Sequence, residues 1–84
     1  MKIKSFSDWP HVHAILLAET ETTDNVSVWS DLRKLLNEIV IKINLLEYSE
    51  KELGIESPNS VALLKCINTQ IENFYKKAFL LKLK

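Results

Sequence analysis

Residues 28–53, VWSDLRKLLNEIVIKINLLEYSEKEL, decide the fold of this chain. Their apolar residues at Trp29, Leu32, Leu36, Ile39, Ile43, Leu46 and Leu53 recur in alternating steps of three and four, with Glu50 alone breaking the series. That period belongs to a helix, and it draws one stripe along a rod of roughly 40 Å at about 1.5 Å per residue. Downstream, Gly54 supplies the residue type that most easily ends a helix, and Ser57-Pro58 opens the next one as N-cap and first helical position.

The second rod repeats the pattern. Leu64, Ile67, Ile71, Phe74, Ala78 and Leu81 keep the same stepping, flanked by Leu63 and Tyr75. Two rods joined by a turn at 54–57 must lie antiparallel. A short turn permits one register: Leu46–Leu64, Ile43–Ile67, Ile39–Ile71, Leu36–Phe74, Leu32–Ala78 and Trp29–Leu81. The layer nearest the turn, Glu50–Ser60, is expected to be polar and wet. The spacing of seven implies a gentle left-handed supercoil.

Before the hairpin, residues 1–7 alternate Lys with apolar side chains and read as an extended arm. Ser7 or Asp8 can cap a short helix over about 8–20, with Pro10 tolerated in its first turn and Trp9, Val12, Ile15 and Leu16 on one face. A strand is the rival reading there, because His11-Val12-His13 alternates and Glu19–Thr23 is rich in β-branched residues. Residues 20–26 form the linker, whose Thr, Asp and Asn favour turns and caps. The whole chain, 1–84, is thus read as one all-α domain: a long antiparallel hairpin, about 27–53 and 58–81, plus a short N-terminal helix.

A hairpin cannot exclude water from both sides of its seam. Val28, Leu35 and Val40 widen the first stripe beyond what one partner helix covers, and the thin Leu32–Ala78 layer has room for a bulky group such as Trp9. On the opposite side of the same rod stand Ile41, Leu45 and Tyr48, in helical step with one another. Large apolar residues on an outer face make a patch, and patches meet partners. With 84 residues, no possible intrachain disulfide and a small core, the chain is expected to complete a bundle by dimerisation. Phe6, Trp9, Ile41, Leu45 and Tyr48 are the expected contacts.

Charge is balanced, 11 basic against 11 acidic residues, so the whole molecule steers towards neither nucleic acid nor membrane. It is nevertheless sorted. Glu47, Glu50, Glu52 and Glu56 surround the hairpin turn, while Lys76, Lys77, Lys82 and Lys84 crowd the far end, near Asp24 and Asp31. Helix dipoles and pairing account for that arrangement. A nucleic-acid-binding accessory protein using the lysine-rich end is the alternative function.

Catalytic and metal chemistry find little footing. His11 and His13 point about 160° apart on a helix and cannot share an ion there; nearby Asp8 joins them only on a strand. Cys66 falls on the back of the last helix without an activating His. Glu47 and Glu50 have a spacing used in helical metal sites, but Glu72 lies too far along its own rod to join them. A single glycine leaves no phosphate-cradling loop. The sequence therefore predicts a cytoplasmic, non-enzymatic protein–protein interaction module, an adaptor, inhibitor or assembly subunit, with no cofactor, no metal and no membrane span.

Overall fold

The computed structural model describes residues 2–82, and the side chains of residues 2–80. A 3-10 turn, Phe6–Asp8, leads into α1 (Trp9–Glu21), α2 (Val26–Leu53) and α3 (Pro58–Lys82), with no strand among the described residues. The molecule is a rod of 43 × 17 × 17 Å, and α2 sets its length. Its 28 residues span about 42 Å.

The seam between α2 and α3 buries both stripes, and the Ser49–Ser60 contact (2.7 Å) aligns the two helices at the turn end. Leu32, Leu36, Ile39, Ile43 and Leu46 are buried on α2, as are Ile67, Ile71, Phe74 and Ala78 on α3. Leu64, on the α3 stripe, is partly buried against the core. Trp29 stays partly exposed, and the Leu81 side chain expected opposite it lies outside the described residues. Leu53 is exposed, because α2 runs past the last layer that α3 can cover.

At the turn end the last layer is Ser49–Ser60 rather than Glu50–Ser60, and it is dry. Ser60 Oγ donates to the Gly54 carbonyl (2.8 Å), so its oxygen is free to accept from Ser49 Oγ (2.7 Å) and Ser57 Oγ (2.9 Å). Asn59 Nδ2 donates to Ser49 Oγ (2.9 Å), and the Ser60 amide donates to Ser57 Oγ (3.2 Å), the N-cap bond. Buried hydroxyls bonded on every side cost little, whereas one left alone costs about 1–3 kcal/mol. Gly54 closes the motif with φ 95° and ψ 155°, a region that only glycine enters readily, and not the ordinary left-handed helical cap.

The N-terminal segment seals the seam within one chain. The expected extended arm is extended only as far as Ser5, and it is tied down. Asn68 on α3 grips the backbone of Ile3 from both sides, accepting from its amide (2.8 Å) and donating to its carbonyl (3.0 Å). The Phe6 amide then donates to Glu50 on α2 (2.9 Å), so the arm crosses from one rod to the other and buries Ile3. Glu50, the break in the α2 stripe, is the anchor of that crossing. The Lys4 amide donates to Asp8 (2.8 Å), which turns the arm into α1.

From there α1 runs back along α2 and buries Trp9, Val12, Leu16 and Thr20. The Thr20 hydroxyl donates to the Leu16 carbonyl (2.9 Å), which satisfies it inside the core. Tyr75 on α3 has its pKa raised above the usual 10.0, first by burial and then by the Glu19 carboxylate of α1. The strand reading of this segment is excluded: the α-helix runs Trp9–Glu21, and Asp8 closes the 3-10 turn before it. Asn25 caps α2 by accepting from the amides of Ser27 (2.9 Å) and Val28 (3.2 Å).

One expectation needs correction. Trp9 sits near the Glu50 anchor, eighteen residues or about 27 Å along the rod from Leu32, so it does not fill the Leu32–Ala78 layer. That end is covered by the C-terminal half of α1, where Leu16 and Thr20 are fully buried. The core is closed without a second copy: Leu32, Leu46, Ile67, Ile71 and Phe74 have no exposed surface in the single chain. Replacing Asn68 by Ala should lower unfolding free energy by about 1–3 kcal/mol. Amide hydrogen exchange should then accelerate at Ile3 and Phe6, and stay slow at Ile39.

Candidate interaction surface

A helix as long as α2 carries more than one stripe. Its core stripe faces α3, and Val28, Leu35 and Val40 on the stripe's edges pack partly buried against the same core. The opposite side carries a second series at steps of four and three: Lys34, Glu38, Ile41, Leu45, Tyr48 and Glu52, all exposed. At about 100° per residue these six fall within roughly 40° of a common line on the far side of the rod. Ile41, Leu45 and Tyr48 are 61%, 50% and 67% exposed, so neither the arm nor α1 wraps over them. They form an apolar centre about two turns long with charged residues at both ends.

The other expected contacts lie elsewhere. Trp9 is 6% exposed, within the core, with its ring stacked on His13 (centroids 5.0 Å apart, planes at 15°), so it offers no contact surface on the folded chain. Phe6 is partly buried and packs against the core near Glu50. Sequence periodicity on α1 shows a Trp on the helix's apolar face but cannot say whether that face turns inward. The arm's two anchors, which decide it, are a single Asn and a single Glu without a pattern.

Further apolar residues are exposed at the two ends of the rod: Leu53, Ile55 and Val61 around the turn, and Val26, Trp29, Phe79 and Leu80 at the other end. Arg33 lies over the Trp29 ring at 5.8 Å, which shields part of it. These sets lie where helices begin or stop, whereas the middle of α2 offers an uninterrupted face with fixed side-chain spacing.

Of the lysine-rich end, Lys76 is engaged by Glu72 of its own helix (3.2 Å) instead of by Asp24 or Asp31. Lys82 and Lys84 carry side chains outside the described residues. His11 is exposed and His13 is occupied by Trp9, and no group of three His, Cys, Asp or Glu capable of holding a metal occurs among the described residues. Cys66 is an exposed free thiol. Open grooves occur among the described residues, such as the one where the arm meets α3 at Lys2, Leu64, Asn68 and Glu72. No described helix is long and apolar enough to cross a membrane.

The fold thus defines a helical hairpin domain with its seam sealed by an N-terminal strap and helix, and with one outer helix face left apolar. No family model matches the sequence, and no curated protein or solved structure matches it either.

Because the outer stripe carries none of the core, it can be changed without harm to the fold. Ile41→Ala should alter unfolding free energy by less than about 0.5 kcal/mol. Ile39→Ala, two residues away on the buried face, should cost about 2–5 kcal/mol in urea denaturation.

Proposed function

We propose that this chain is a non-enzymatic protein–protein interaction module that works through the outer face of α2. The observation that carries the reading is the row Ile41, Leu45 and Tyr48, three large apolar side chains half to two-thirds exposed in the middle of a long regular helix. Apolar side chains in register on a rigid helix, rimmed by charge, are what a helix-in-groove or helix-on-helix contact uses. Tyr48 adds the amphipathic character favoured at such contacts, an apolar ring that ends in a hydroxyl. The free thiol of Cys66 suits work in the cytoplasm, where thiols stay reduced.

The face is preorganised. α2 is held along its length by α3 and clamped near residue 50 by the arm, so a partner meets a surface that loses little freedom on binding. On this reading the chain contributes a rigid shape to the contact.

A photoreactive benzoylphenylalanine placed at Tyr48 tests this in the cells that make the protein, with the same group at Glu72 of α3 as control. A discrete protein adduct from position 48, absent from position 72 and lost when Ile41 and Leu45 are both changed to Glu, is the expected result. Position 48 giving no protein adduct, or the same adducts as position 72, would overturn the reading.

A further inference from the structure

The partner of this face can be read from its charges. We propose that the outer stripe of α2 binds a second copy of itself in antiparallel orientation, about a twofold axis near Ile43–Asn44. The inference rests on the interaction-module reading and deepens it by naming the occupant.

The stripe reads Lys34, Glu38, Ile41, Leu45, Tyr48, Glu52, and all six residues are exposed on a helix continuous from Val26 to Leu53. Laid against its own reverse, it pairs Ile41 with Leu45 of the second copy, Glu38 with Tyr48, and Lys34 with Glu52. Twofold symmetry repeats each pair. The four aliphatic side chains meet at the centre, a phenol hydroxyl can donate to a carboxylate one layer out, and an opposite-charge pair closes each end. Such an interface is isologous, the arrangement most homodimers use.

Other arrangements of the same stripe conflict with its charges. A parallel pairing sets Lys34 against Lys34, Glu38 against Glu38 and Glu52 against Glu52. Sliding the antiparallel pair by one heptad sets Glu52 against Ile41, or Glu38 against Ile41, and covers a carboxylate with hydrocarbon. Like charges and buried unpaired charges are how helices reject wrong registers. Lys42 of the two copies flanks the axis, and Glu38, one turn back on the same helix, offsets that repulsion at i, i+4 spacing.

The contact is modest. Three large side chains per copy, with the stems of the charged residues beside them, fall short of the roughly 800 Å² per partner of a stable interface. The dimer is accordingly weak and concentration-dependent, and the core does not need it.

Sedimentation equilibrium on the whole chain, from micromolar to millimolar concentration, tests the arrangement, with circular dichroism confirming that each variant keeps its helix content. The native chain should pass from monomer to dimer. Lys34→Glu and Glu52→Lys should each weaken the dimer about tenfold, because each reversal places two like-charge pairs at the interface. The double variant, Lys34→Glu with Glu52→Lys, should recover most of the loss, because both end pairs become opposite again. A native chain monomeric throughout the range would overturn the self-pairing while leaving the interaction reading to the photocrosslinking result. A dimer that both single reversals leave unchanged, or that the double reversal fails to restore, would overturn the antiparallel register.

Discussion

The register of α2 against α3 is the constraint on which the rest of this structure depends. Hydrophobic stripes with a heptad-like period can slide past one another by a whole repeat at small loss of contact, so burial alone specifies the partner face better than the register. The turn end removes that freedom. Gly54 adopts a backbone conformation that other residues reach only with strain, and the Ser49, Ser57, Ser60 and Asn59 cluster is satisfied only when Ser49 faces Ser60. A slip of one heptad would leave those hydroxyls buried without partners or pull them into water. Polar groups at one end thereby set the alignment of apolar layers up to about 25 Å away.

Fixed register also fixes where the N-terminal segment can go. Asn68 and Glu50 stand on different helices, and the arm reaches both only when the hairpin is aligned. Once Ile3 and Phe6 are placed, α1 has one course available, back along α2 towards Asn25. It spends its apolar face on the open side of the seam, and the far side of α2 is left bare. Exposure of Ile41, Leu45 and Tyr48 is thus a consequence of how the core closes. A helix that needed one stripe for folding carries a second that folding does not use, and this gives the surface reading its physical content.

Much of the hairpin was legible because its signals are redundant. Each rod carries its period through at least six apolar residues, and Gly54 with Ser57-Pro58 marks the stop and start independently. The outer row was legible for the same reason, since it shares the period of α2. The N-terminal region was harder. Trp9 looked like a partner contact because its sequence neighbours do not disclose the direction of α1, which depends on two long-range backbone contacts, Ile3 with Asn68 and Phe6 with Glu50. Glu50 read as a flaw in a stripe, and its use as a backbone acceptor required knowing what lay opposite. The turn layer differs from the periodic reading by one residue: the stripe runs through Glu50, but Glu50 accepts from the Phe6 amide, and the hydrogen bonds of Ser60 and Asn59 draw Ser49 into the buried layer instead.

The central claim is that Ile39 and Ile71 face each other in one dry layer while Ile41 looks the other way. Disulfide trapping measures this directly in a Cys66→Ser background. Ile39→Cys with Ile71→Cys should oxidise rapidly and completely within the monomer, and Ile41→Cys with Ile71→Cys should give no intrachain bond. Equal trapping of both pairs, or failure of the first with the helices intact, would contradict the account.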